Sequence, residues 1–257
     1  IFQGNDGGSA ITALTLDMSA AGYATFNNGI STKGISNTVS EANFYATSGA
    51  ACISTYGRSS DNIGTIAFND ADGTSVGYIQ QRSGTNDIRL WAVGNNGLNF
   101  GTSGTNSMTI SPDGEITAVK QPAFSAIPAG DQNNIVINNV VTVVFGTERF
   151  DVGANFASNT FTAPVAGKYS LHAHLRLQNI DTSAAYYMLR ITTSNEEYQS
   201  LFTSTQFAAD VTYWPIAMNC LADMDANDTA VVTIYQSNGS AQTDINTESY
   251  FNGILVA

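Results

Sequence analysis

The chain has 257 residues, of which 43% are apolar and only 12% charged, with a formal net charge of −12. That length and apolar content suffice for one large all-β domain or two smaller ones, and they argue against disorder. The acidic balance speaks against nucleic acid as a partner, because binding its phosphates needs a basic surface; no run of ~18 apolar residues is present, so no membrane insertion is expected.

In chain order, no amphipathic helix of ten or more residues is predicted. Short alternating runs separated by Gly, Asn and Asp recur instead, which is an all-β pattern. "LTLDMSAAGYAT" (14–25) reads as a small hairpin, and "MTISPDGEIT" (108–117) repeats it with a shorter turn. Between them lie "GTIAFND", "GYIQQRS" and "NDIRLWAVG", with hairpin turns predicted at Asp72-Gly73, Asn96-Gly97 and Asp113-Gly114. A two-stranded hairpin is barely stable alone in water. Repeated small hairpins with little core between them therefore call for a surface supplied by another chain. Cys52 and Cys220 are read as free, buried, small hydrophobes rather than a disulfide.

A boundary is predicted in "ITAVKQPAFSAIPAG", punctuated by Pro122 and Pro128. Residues 1–120 are Gly-rich and hairpin-rich with short strands; residues 121–257 have longer strands and most of the aromatic side chains. The clearest of these strands is "GKYSLHAHLRL". Tyr169, Leu171, Ala173, Leu175 and Leu177 fall on one face, and Ser170, His172, His174 and Arg176 on the other.

The second half resembles the globular head of the complement component one, subcomponent q family, within the tumour-necrosis-factor jelly-roll superfamily. The resemblance runs from "QPAFSA" through "VVTVVFGTERFDVGANFASNTFTAPVAGKYSLHAHL", with Phe145, Phe156, Phe161, Pro164, Gly167 and Tyr169 in order. It continues through "ANDTAVV" at the family's turn and ends in "YFNGILV". Two departures are Asn227 where the family has a turn glycine, which Asn tolerates in a left-handed conformation, and Ile254 near the end for the usual aromatic. The first half resembles the shaft and neck modules of bacteriophage tail fibres and tail spikes, through "LTLDMSAAGYATFNNGIST", "GTIAFNDADGTSVGYIQQRSGTNDIRLWAVGNNGLNF" and "SMTISPDGEITAVKQPAF". The two resemblances imply a ten-strand jelly-roll head on a β shaft, assembled as a homotrimer. They also imply a place on the virion, acting outside the host cell, with other virion tail proteins as partners.

Candidate sites follow. His172 and His174 share one strand face, as zinc ligands can. They are the only two histidines of the chain, too few for a closed site; the resemblance to a trimeric superfamily implies instead that this face, with Arg176, serves subunit assembly, with metal binding and plain exposure as the alternatives. "DMDANDT" offers Asp223, Asp225 and Asp228, oxygen ligands of the kind calcium takes. The EF-hand spacing fails, since Asp228 stands where Gly is required and Ile234 where Glu is. The stretch is read as a turn, with calcium as the alternative and no other cofactor. Tyr187, Leu189 and Ile191 alternate into the core, leaving Tyr186, Met188 and Arg190 outward; Trp214 is read as core or interface. Tyr186, Arg190, Tyr198 (placed in a hairpin turn) and Tyr213 are the candidates for contact with a receptor, because sugar rings stack on exposed aromatic faces. No Gly-x-Ser-x-Gly elbow is present, and no carboxylate pair of the kind that glycoside hydrolysis needs about 5–9 Å apart is suggested. The expected function is non-enzymatic adhesion by a fibre tip to a host-surface receptor, a glycan or a protein. A purely structural trimerisation cap and a secreted complement-head-type binding protein are the alternatives.

Overall fold

A computed structural model describes residues 2–6, 9–17, 23–26, 63–82 and 87–257. It divides into two compact units, Ile1–Ile66 with Gln80–Arg89, and Ala67–Ile79 with Leu90–Ala257. Cys52 and the turn at 18–22 lie outside the described residues. Twenty-one strands and one 3-10 turn (Ser204–Gln206) make up the regular structure described.

The early strands are β1 (Phe2–Asp6), β2 (Ser9–Asp17), β3 (Tyr23–Phe26), β4 (Gly64–Asn69), β5 (Ser75–Arg82), β6 (Asp87–Ala92), β7 (Leu98–Thr102), β8 (Thr105–Ile110) and β9 (Ile116–Thr117). They form three-stranded sheets in the orders β1-β2-β3, β4-β5-β6 and β7-β8-β9. Both repeated hairpins are present. Leu16 pairs with Ala24 and Asp17 with Tyr23, while Ile110 pairs with Ile116. The turns at Asp72-Gly73 and Asp113-Gly114 also form, each with its glycine at positive φ and donating its amide three residues back.

Asn96-Gly97 is not a hairpin turn. The strands on either side of it, β6 and β7, belong to different sheets. The hairpin falls instead at Ser103-Gly104, where φ is 52° and 74° and Thr102 pairs with Thr105. Two consecutive positive φ values are what a type I′ turn requires. Serine in the first of these positions hid the signal.

The remaining strands are β10 (Ala123–Ile127), β11 (Val140–Thr142), β12 (Thr147–Asp151), β13 (Phe156–Ala157), β14 (Thr160–Thr162), β15 (Gly167–Ile180), β16 (Tyr186–Thr193), β17 (Glu197–Phe202), β18 (Val211–Met224), β19 (Thr229–Ser237), β20 (Asp244–Ile245) and β21 (Tyr250–Leu255). Ten of them form two walls, β12-β10-β21-β15-β18 and β13-β14-β19-β16-β17; β20 adds to the first through β15 and β11 to the second through β19. This is an all-β jelly-roll sandwich. Its core lies between the walls, where the inward halves of the alternating strands meet. Tyr169, Leu171, Ala173, Leu175 and Leu177 are fully buried there, as are Tyr187, Leu189 and Ile191.

Phe124 stacks on Phe161 and Phe156 with ring centroids 4.7 and 5.0 Å away, and meets Phe251 edge-on at 5.0 Å. Rings at these offsets add to the burial term. Gly253 lets this happen, because a Cβ there would run into the Phe124 ring and the Leu171 side chain. The Tyr169 hydroxyl donates to the Val165 carbonyl at 2.8 Å.

Candidate functional site

The outward face of the first wall is set by the register of β15. His172 lies between Asn252 of β21 and Asn219 of β18, His174 between Tyr250 and Ala217, and Arg176 beside Pro215. The alternation that buries Leu171, Ala173 and Leu175 puts these three side chains in one outward column, each half-buried. Tyr250 serves both imidazoles: its ring stacks on His174 at 5.0 Å and meets His172 edge-on at 5.3 Å. The Arg176 guanidinium sits 4.5 Å over the Tyr213 ring, a cation–π contact. Around this column the face is apolar and open. Tyr213, Leu221, Ile254 and Phe150 are 46%, 62%, 48% and 53% exposed. A hollow of about 320 Å³ is lined by Phe150, Ser125, Ser170, His172, Asn252 and Ile254. Asn252 Oδ1 and Arg176 Nε are buried without a hydrogen-bond partner. Burial, and then the neighbouring His172, hold His174 below the ordinary imidazole range.

The outward face of the second wall carries Tyr186, Met188 and Arg190 on β16 beside Tyr235 and Thr233 on β19. Tyr186 and Tyr235 form a ring pair 5.9 Å apart. Met188 is outward by alternation but only 7% exposed, with Arg190 Nη2 3.9 Å from its sulfur. Arg190 Nε lies 3.3 Å from Glu197 Oε1. The distance qualifies as an ion pair, but the N–H is not aligned for a hydrogen bond.

The placement of Tyr198 corrects the sequence reading. It is not in a hairpin turn but the second residue of β17, opposite the fully buried Ile191, and its side chain packs against the core. Along β17 the exposed residues are Glu197, Gln199 and Leu201, so Tyr198, Ser200 and Phe202 face inward. The turn ends one residue earlier than the acidic pair Glu196-Glu197 suggested. Tyr213 is outward as expected, but it belongs to the first wall with Arg176, away from Tyr186 and Arg190. Trp214 packs inward on Phe207 and Phe202, with centroids at 4.7 and 6.0 Å. Cys220 is free and half-buried, and burial pushes its thiol up to about 11.

Within the acidic stretch 223–229, residues 225–228 form the turn between β18 and β19. Asn227 has φ 76° and donates its amide to the Ala163 carbonyl at 2.7 Å. Asp228 Oδ2 accepts from the Asp225 amide at 2.8 Å and from Asn195 at 2.7 Å. Asp223 is instead paired with Lys168 at 2.5 Å, so these carboxylates serve separate partners. Among the described residues, no three His, Cys, Asp or Glu side chains gather as a metal site would need.

One further hollow, of about 190 Å³, brings Asp181 and Asp210 together. Burial acts to raise the Asp181 pKa, but hydrogen bonds from the Ala241, Ser183 and Ser240 amides outweigh it and the net shift is downward. The Thr182 amide and hydroxyl lower Asp210. Both carboxylates are held ionised, so neither has the character of a proton donor.

The sequence reading missed Tyr250, Tyr235 and Asn252. Tyr250 and Asn252 alternate outward within "YFNGILV", but only the pairing register puts them beside the histidines.

The sandwich and its two outward faces define the class of fold, a jelly roll. No family model matches the chain, and no curated protein matches it. Among solved structures, the globular domain of zebrafish complement 1qA protein is similar at 18% identity, covering 53% of this chain and 98% of its own, with a TM-score of 0.39. Murine APRIL is similar at 11% identity in a structure at pH 8.0 and 12% in one at pH 5.0. Each covers 53% of this chain and 100% of its own, with TM-scores of 0.39 and 0.38. Among the described residues, no helix is long and apolar enough to cross a membrane.

Proposed function

We propose that the chain is a non-enzymatic adhesin: the tip of a homotrimeric viral tail fibre, with residues 1–120 as shaft and 121–257 as a head that binds a host-surface glycan. The observation that carries this reading is how little the shaft residues bury. Among the described residues between 63 and 120, only Gly64 is buried, while Phe68, Leu90, Trp91, Phe100 and Ile116 are 42–66% exposed. Soluble monomers rarely present contiguous apolar surface of this kind, and two further copies of the chain would cover it. The open apolar face around His172, His174 and Arg176 supports the same assembly in the head.

Receptor contact is then assigned to the second wall, where Tyr186 and Tyr235 offer an aromatic platform. The net charge of −12 and the pairing of Arg190 with Glu197 favour a neutral or weakly charged glycan. Weak single contacts suffice, since several heads multiply them through effective concentration.

Two measurements on the full chain test this. Light scattering should give three times 27.1 kDa; a monodisperse monomer at micromolar concentration overturns the assembly. The protein should bind intact host cells or their extracted polysaccharide. A trimer that binds neither is a structural cap and not an adhesin.

A further inference from the structure

His172 and His174 are the only histidines of the chain, and the fold puts both on one outward strand face with one aromatic ring between them. Tyr250 touches each imidazole at about van der Waals range, and Arg176 stands two residues further along the same column. The groups across from them are uncharged: Asn219, Ala217 and Pro215 on β18, and Asn252 and Tyr250 on β21. Every acid on the flanking β18 and β20 strands has a partner elsewhere. Asp223 is paired with Lys168, while Asp244 accepts from the Asn134 amide and from Asn179. Glu248, between β20 and β21, accepts nothing from this column and is exposed. On β12, which borders the hollow beside His172, Asp151 accepts the Phe156 amide; Glu148 and Arg149 are exposed at the edge strand.

We propose that this pair is an acid-sensitive latch on the assembly face. Uncharged, the imidazoles pack on Tyr250 and leave the face fit to close on a second copy of the chain. Protonated, His174 adds a cation in line with Arg176 and with the same column of each neighbouring copy, with no carboxylate across from it on β18 or β21 to offset it. The assembly part of this inference rests on the trimeric reading above.

The direction follows from the shift at His174. Its folded-state pKa is depressed, so the unfolded chain takes up the proton first. The stabilisation is complete above the ordinary imidazole value of about 6.5 and is lost as pH falls through the lower folded value.

The test compares the full chain with a His172→Gln/His174→Gln variant at pH 7.5 and 5.5, by thermal melting and by light scattering. No other side chain type titrates ordinarily in that interval. The unsubstituted protein should melt at least about 3 °C lower at pH 5.5 and lose trimer on dilution at that pH, and the variant should do neither. A melting point unchanged by pH, or a variant that falls as far as the parent, overturns the latch. If the parent is a monomer already at pH 7.5, the trimeric reading fails and the latch on assembly fails with it, while the melting comparison still decides whether this histidine face is acid-sensitive. Should the double variant not fold, His174→Gln alone must reduce the pH-dependent shift.

Discussion

His174 and Tyr250 lie nearly parallel across the β15–β21 pair, with ring centroids 5.0 Å apart and planes 14° from each other. Because the same tyrosine also meets His172 edge-on, one ring braces the outward column of the first wall. Tyr250→Ala is expected to cost about 1–2 kcal/mol, read as a fall of several degrees in melting temperature. Tyr250→Phe keeps the ring and should stay within about 0.5 kcal/mol of the parent. Equal losses from both changes would show that the hydroxyl and not the stack matters.

Tyr186, Tyr235 and Tyr198 are predicted to separate. Tyr186→Ala and Tyr235→Ala remove one half of an outward ring pair and should each cost about 1 kcal/mol while lowering host attachment. Tyr198→Ala opens space beside Ile191 and should cost about 2 kcal/mol or more; attachment per folded molecule should not change. Attachment assays normalised to folded protein distinguish the two patterns, and a selective attachment defect in Tyr198→Ala would contradict the inward placement.

Asp181 is only 2% exposed and caps three backbone amides, from Ser183, Ser240 and Ala241. Its folded pKa is depressed, so its contribution is present above the ordinary carboxylate range and is lost as pH falls through the lower folded value. Asp181→Asn turns a donor toward amides that need an acceptor and should cost about 2–3 kcal/mol at pH 7. The gap between parent and variant should narrow in denaturant titrations near pH 3. A gap that is constant with pH would mean that the carboxylate charge contributes nothing.

Asn227 occupies the left-handed region that the turn between β18 and β19 requires. Asn227→Gly should leave stability within about 0.5 kcal/mol. Asn227→Val, whose branched side chain resists that conformation, should cost about 1–2 kcal/mol. Chemical denaturation of the two variants side by side is the check.

Much of the sandwich was legible in advance because it depends on alternation. The period-two pattern of 169–177 needs only one buried face to be read, and β15 follows it residue by residue. The turn at 225–228 was legible because Asn tolerates positive φ. What alternation cannot give is register. Nothing in the local sequence says that Tyr250 stands opposite His174 rather than two positions away, so the brace on the histidines was invisible. Strand ends were also poorly marked: Glu196-Glu197 reads as a polar turn, yet β17 begins at Glu197 and carries Tyr198 inward. The Asn96-Gly97 pair has the composition of a hairpin turn but joins two separate sheets: neither residue has a positive φ, and glycine is needed because a Cβ at position 97 would run into the Ile110 carbonyl oxygen.

The adjacency of β10 and β21 has one more consequence. Ala123 pairs with Ile254 and Phe124 with Gly253, so the sandwich is entered and left by neighbouring strands at a single pole. A domain wired in this way behaves as a cassette. It can be joined to a different preceding segment at one junction ahead of β10, without rerouting any strand within it. Connections such as 128–139 and 238–243 can then vary without rerouting either wall.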